Sequence, residues 1–233
     1  EFLRLMQLLT TQRIICNGLA QLRFEEVWPG LERMQTPGNT ALHGLFSPKL
    51  MELRELVEQL VVEQNRKVVI FSQWRRMLRL ADWAIGDILR RAGLRSVFFT
   101  GAEKQKRRTH NIVDFHDDPH ARVLFASDAG GVGLNLQKAA NACVNLDMPW
   151  NPAVLEQRIG RLDRIGQRHT VQIHVPAPDQ AQRERGRAGV GGLGEETVAV
   201  VEPYLDKLAG GLGLNQETVN ALHLQMGVKP LYG

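Results

Sequence analysis

Cysteine is almost missing from this chain. Its 233 residues hold two, Cys16 and Cys143, far apart, in no CxxC pair and set among apolar neighbours. That argues against a disulfide framework or a zinc site, and both read as reduced, mostly buried thiols. Long apolar runs are missing too: no stretch approaches the roughly 18 uninterrupted apolar residues that a membrane-spanning helix needs. The N-terminus lacks the charged start and apolar middle of a signal peptide. The expectation is a soluble cytoplasmic protein with no membrane partner. Charge of one sign is also scarce, with 29 basic against 25 acidic residues. So small an excess sets up no global field, and any nucleic-acid contact has to come from a local patch. The chain opens on Glu1 rather than Met, inside a helical pattern, which is expected of a piece of something longer.

What is present is enough apolar material, 43% of residues, to fill one core of ordinary domain size. Leu5, Leu8, Leu9, Ile15, Leu19 and Leu22 recur near helical spacing and predict a helix over residues 1–28, stopped by Pro29 and Gly30. A connector punctuated by Pro and Gly follows to residue 47, making 1–47 a helical lead-in and connector. Ser47-Pro48 reads as an N-cap with proline at the first helical position, opening a helix to about Asn65. From Lys67 short apolar strands alternate with amphipathic helices. Strands are expected at 68–71, 96–99, 123–126, 142–146 and 171–175, and helices at 74–91, 104–116 and 152–159. Such alternation predicts right-handed βαβ units and a parallel sheet covered on both faces, spanning 48–176. Residues 177–194, where Arg183, Arg185 and Arg187 alternate with glycine-rich sequence, read as a flexible linker. Helical patterns at 195–209 and 215–226 make 195–233 a C-terminal helical extension. The class is therefore α/β, with helical appendages at both ends.

In an open parallel sheet ligands gather at the carboxyl ends of strands. Here those ends carry Ser72-Gln73-Trp74, Thr100-Gly101, and the glycine-rich run Ser127 to Leu136. Gly130, Gly131 and Gly133 permit a tight turn with exposed amides, able either to cradle phosphate oxygens or simply to join strand to helix. The run Gln157-Arg158-Ile159-Gly160-Arg161-Leu162-Asp163-Arg164-Ile165-Gly166-Gln167 is more specific. If the helix begun at Pro152 continues, Arg161 and Arg164 project from one face. Planar, permanently charged guanidiniums suit the spread negative charge of phosphoryl transfer. The alternative is a surface helix whose arginines pair with Glu156 or Asp163. Lys104-Gln105-Lys106-Arg107-Arg108 is the densest basic run, either a solvated helix face or a contact to phosphates.

Together the segments Lys67 to Trp74, Ser127 to Leu136, Asp147-Met148-Pro149-Trp150-Asn151-Pro152 and Gln157 to Gln167 resemble the helicase motifs of Swi/Snf-family, superfamily-two ATPases. The ending Arg164-Ile165-Gly166-Gln167 is typical of that family, and the flavour is close to the bacterial remodeller associated with RNA polymerase. The resemblance implies a RecA-like, P-loop-NTPase-like second lobe of a DNA-dependent motor. No GxxxxGK[ST] occurs, so ATP and Mg2+ would be held mainly by a first RecA-like lobe of the same polypeptide. By similarity Arg161 and Arg164 would be arginine fingers. Gln157, Asp128, Gly131 and Gly133 would line the nucleotide. Ser72, Gln73, Thr100, Gly101, Ser127 and Asn135, with Lys104, Lys106, Arg107 and Arg108, would meet the nucleic-acid backbone, which carries no base information.

The implied partners are double-stranded DNA and RNA polymerase or another DNA-bound protein, with a place in the bacterial nucleoid. One departure stands out. Where the family continues from the last strand into a further helix, this chain has Pro176, Pro178 and the Arg/Gly-rich stretch. Two alternatives stay open: a lobe of an RNA helicase of the same superfamily, and a non-catalytic nucleic-acid or protein scaffold.

Overall fold

Runs of four apolar residues with no polar alternation can satisfy their environment only if both faces of the strand are covered. The computed structural model, which describes residues 2–33, 47–128, 134–149 and 151–176, puts such runs at the centre of one sheet. Its strands are β1 (Val68–Phe71), β2 (Arg95–Phe99), β3 (Ala121–Ala126), β4 (Ala142–Asn145) and β5 (Gln172–His174). They run parallel in the order β2-β3-β1-β4-β5. β1 and β4 are buried at every position, whereas the edge strands β2 and β5 are partly exposed. Val69, Phe71, Leu124, Cys143 and Phe115 share one apolar cluster.

The helices are α1 (Phe2–Asn17), α2 (Phe24–Arg33), α3 (Pro48–Val57), α4 (Arg75–Arg91), α5 (Gln105–Asp117) and α6 (Pro152–Ile159). α3 runs on into a wider turn of helix over Glu58–Glu63. α4 ends as its sequence dictates: Gly93 takes a φ of +67°, its amide donates to Arg90 and that of Leu94 to Leu89. Among the described residues no helix is long and apolar enough to cross a membrane.

The chain divides into two compact units, residues 24–38 with 48–177 forming the sheet unit and residues 1–23, 39–47 and 178–233 the other. In the second unit the expected helix over 1–28 is interrupted. α1 stops at Asn17 and a short tight turn, Leu19–Gln21, follows. Nor does Pro29 stop a helix, because it lies inside α2. Proline removes one rung, but Glu25 and Pro29 are both exposed, so the freed carbonyl is on the water side. Side-chain packing holds α2 to α4 of the sheet unit. Phe24 stacks on Trp28 at 4.9 Å, Arg79 lies 4.3 Å over the Trp28 ring, and Arg76 pairs with Glu25 at 2.9 Å. α2, on the N-terminal side of the expected boundary at 47, thus packs on α4. The expected linker at 177–194 and the helices at 195–226 lie outside the described residues.

Candidate functional site

The strand ends of β1, β3 and β4 converge on a single buried cation. Arg158, in the last turn of α6, is 1% exposed. Its Nε donates to Asp128 Oδ1 at 2.7 Å and its Nη2 to Asp128 Oδ2 at 2.8 Å. Nη2 also reaches Asp147 Oδ1 at 3.0 Å, and Nη1 reaches the Asp147 carbonyl at 3.0 Å and Asn145 Oδ1 at 3.3 Å. Burial by itself would lower the pKa of this guanidinium. The paired carboxylates outweigh that and hold it above the usual arginine value.

Asp147 carries the network on to β1. Ser72 Oγ donates to Asp147 Oδ2, the Gln73 amide donates to the same oxygen at 3.0 Å, and the Trp74 amide donates to Ser72 Oγ at 3.1 Å. Arg158, Asn145 and Asp147 were not singled out in the sequence. The available signal was an Asp and an Asn at the end of the apolar strand β4, where desolvation requires partners.

The condition for one shared helical face, continuation of α6 past Ile159, is not met. α6 ends there, and the Gly160 amide bonds the Glu156 carbonyl at 2.8 Å. Arg161 and Arg164 lie instead on a compact turn. Leu162 is fully buried in the core cluster, the Leu136 amide donates to the Arg161 carbonyl at 3.0 Å, and Gly166, at φ +101°, closes a turn whose Gln167 amide donates to the Arg164 carbonyl at 2.9 Å. Gln167 fastens the far side, its Nε2 donating to the carbonyls of Ala140 and Leu162 at 3.1 Å each.

The two arginines differ in environment. Arg161 is half-buried, and its Nε has no hydrogen-bond partner among the described residues. Burial pulls its pKa below the usual value, Asp128 opposes this, and Arg158 and Arg164 add to it. Arg164 is exposed and its Nη1 donates to Asn135 Oδ1 at 2.6 Å, which joins a residue expected at the nucleotide to one expected at the nucleic acid. Gln157 is exposed on α6.

Several other expected contacts are engaged internally. Both Asp128 oxygens are taken by Arg158. Ser72, Thr100 and Ser127 are buried, and Glu103 accepts from both the amide and the hydroxyl of Thr100. The hydroxyls of Ser72 and Thr100 thus build their loops, and such strand-end positions offer backbone rather than side chain. Gly101 and Asn135 are exposed and Gln73 half-buried. Of the basic run, Lys104, Lys106 and Arg107 are exposed, while Arg108 bonds Gln105 at 2.7 Å and lies 5.9 Å over the Phe99 ring. Gly131 and Gly133 lie outside the described residues.

Residues 49–166 match the family described as the helicase conserved C-terminal domain. The chain belongs to that family. This helicase C-terminal domain is 38% identical over 128 residues to an uncharacterized ATP-dependent helicase, YqhH, of Bacillus subtilis, a stretch covering 55% of the chain and 22% of that relative. The chain thus spans under a quarter of the relative's length. Among solved structures, the Sulfolobus solfataricus SWI2/SNF2 ATPase core in complex with dsDNA superposes with a TM-score of 0.56 at 22% identity, over 94% of this chain and 41% of that one. The C-terminal part of the Fun30 ATPase domain gives 0.54 at 22%, over 80% and 60%. The parallel sheet and its flanking helices are thus the RecA-like fold of these C-terminal lobes. From the conspicuous sequence segments, Ser72, Asp128, Asp147 and Arg158 meet at one end of the sheet.

Proposed function

We propose that this chain is the second motor lobe of an ATP-dependent double-stranded-DNA translocase, completing a nucleotide pocket whose other wall is a first RecA-like lobe. The observation that carries this reading is Arg161, a half-buried guanidinium whose Nε has no hydrogen-bond partner among the described residues, beside Arg164 on a turn anchored by Leu162 and Gln167. A desolvated guanidinium with spare donors fits a phosphate oxygen, and its fixed position means little reorganisation at the moment of reaction. Mg2+-bound ATP would supply the phosphoryl group and the divalent charge. Arg161 and Arg164 would neutralise charge on the terminal phosphate, with Gln157, Gly131 and Gly133 along its approach.

The Arg158 network sets both sides of this arrangement. It ties the start of the glycine-rich loop, through Asp128, to the β1 loop, through Asp147 and Ser72. A lobe built this way moves its phosphate-facing turn and its strand-end loops as one rigid piece. In the reading proposed, Gln73, Gly101, Ser127, Asn135 and Lys106 meet duplex phosphates through side chains and backbone amides. A protein of the same fold has been solved with dsDNA, which supports that choice. Gripping phosphates alternately in two lobes would move the motor along any sequence and displace bound proteins, RNA polymerase among them.

The test is turnover in the complete two-lobed protein. Arg164→Ala should lower duplex-stimulated ATP hydrolysis by roughly 10³–10⁵-fold, the usual worth of such an arginine, with duplex affinity retained. A loss below tenfold removes the assigned role, and stimulation by RNA alone would make the chain an RNA-helicase lobe.

A further inference from the structure

The strand ends are not the only charged feature. Among the described residues β2 is an edge strand, and a groove of about 760 Å³ runs along its open side. Ser96, Val97 and Phe98 form the floor, Arg75 and Arg79 of α4 one wall, and Lys104 and Arg107 at the start of α5 the other. Arg75, Lys104 and Arg107 are exposed and make no side-chain ion pair or hydrogen bond among the described residues. The one carboxylate on the rim, Glu103, is spent on Thr100. Both walls also begin with uncapped helix N-termini that have no acidic residue in the first turn, so their positive poles add to the field.

The backbone of the floor is turned outward. The Phe99 carbonyl accepts from the Ser127 amide just past β3, and the register with β3 is regular from Ser96 to Phe99, shifting only between Arg95 and Ser96, so in a parallel ladder the groups of Ser96 and Phe98 face the open edge. Asn111 Nδ2, donating to the Phe98 carbonyl at 2.7 Å from outside, agrees with that parity and leaves Ser96 as the open rung. Past Arg95 and Ser96 the groove continues into a cavity of about 390 Å³ walled by Trp28, Trp83 and Leu89.

We propose that this groove takes an extended acidic segment of a partner protein, laid along the free edge of β2 with its carboxylates between Arg75 on one wall and Lys104 and Arg107 on the other. Successive side chains of an added strand point to opposite faces, and here each face presents cations. The charge distribution favours a peptide over a second length of nucleic acid. Positive charge is concentrated near Thr100, whereas at the other end Arg95 is already paired with Asp114 and Asp118, and Glu32 and Asp82 line the cavity. A phosphodiester, charged at every step, would run into those carboxylates. A peptide can be acidic at one end and place an apolar side chain between the tryptophans at the other.

The test uses the full chain and three probes: a labelled acidic peptide of four glutamates followed by Leu-Ala-Leu-Ala, its counterpart with glutamine in place of glutamate, and a 20-base-pair duplex. The acidic peptide should bind, its glutamine counterpart should not, and Arg75→Glu with Arg107→Glu should weaken binding at least about tenfold. Hydrogen exchange across β2 should slow in the complex. Ser96→Pro removes the outward amide that the β3 ladder does not use, and should bind about fivefold more weakly than Ser96→Ala, one hydrogen bond's worth. Equal binding by those two serine variants overturns the proposal even if the charge-reversed protein fails to fold. So does peptide binding that leaves β2 exchange unchanged, or protection of β2 by the duplex and not by the acidic peptide.

Discussion

Arg158 and Asp128 form a two-point ion pair, at 2.7 and 2.8 Å, with the arginine removed from water. One guanidinium thereby closes the ends of β3 and β4 together, and through Asp147 it reaches β1. A charge so enclosed costs several kcal/mol in desolvation, which only its partners offset.

Removing it should therefore be expensive. Arg158→Ala leaves the buried Asp147 and the partly buried Asp128 without their cation and should destabilise the chain by about 3–5 kcal/mol. Urea denaturation would measure this, and a loss under about 1 kcal/mol, the worth of an exposed pair, would mean that the network is superficial.

The isolated chain should not turn over ATP. It has Arg161 and Arg164 but no GxxxxGK[ST] loop to hold the phosphates. A phosphate-release assay with and without duplex DNA should stay at background, and stimulated turnover by this chain alone would contradict its reading as half of a site.

Asp82 offers a pH prediction. Burial raises its pKa above the ordinary 3.8, while the Ser96 hydrogen bond, then Arg90 and Arg79, pull it back down. A carboxyl with a raised folded value binds its proton more tightly in the native state than in the unfolded one. It therefore costs stability as pH rises through the window above 3.8, and costs nothing below it. Asp82→Asn should raise the urea midpoint relative to the parent at pH 7.5, and the gain should shrink towards pH 4. A gain independent of pH would point to packing instead.

Cys143 should be inert. Burial pushes its thiol up to about 11, despite the opposing pull of Arg158 and the Asn145 hydrogen bond. At pH 8 about one molecule in a thousand would carry the thiolate. Peptide mapping after iodoacetamide should find Cys143 unmodified in the native chain and modified in urea.

The strands and the end at which they act were legible from residue order. Residues 68–71, 123–126 and 142–146 read as buried strands because a parallel sheet needs unbroken apolar runs, and strands are found at Val68–Phe71, Ala121–Ala126 and Ala142–Asn145. Helix 152–159 is found as expected, and the structure adds that the Asn151 side chain caps it by accepting from the Ala153 amide. The lead-in was misread for a local reason: Pro29 stops a helix by rule, but the stack of Phe24, Trp28 and Arg79 keeps α2 intact. Three-residue spacing puts Arg161 and Arg164 on one helical face only where a helix continues past Ile159, which residue order leaves open and the structure answers with a turn. Leu162 decides for the turn by entering the core.

By itself, then, the sequence determined what short-range chemistry determines: which segments are strands or helices, that the sheet is parallel, and that a first lobe's phosphate-binding loop is not encoded. It could not show that Arg158, rather than its exposed neighbours, is the buried centre, because a cation's burial depends on Asp128 and Asp147, 30 and 11 residues away in the chain. The placing of β2 at the edge, with Arg75 and Arg107 facing each other across it, likewise exists only once the strands are ordered. Pattern fixes elements through contacts a few residues apart, whereas partners for buried charge and the identity of a free edge are set by contacts that close only when the sheet assembles.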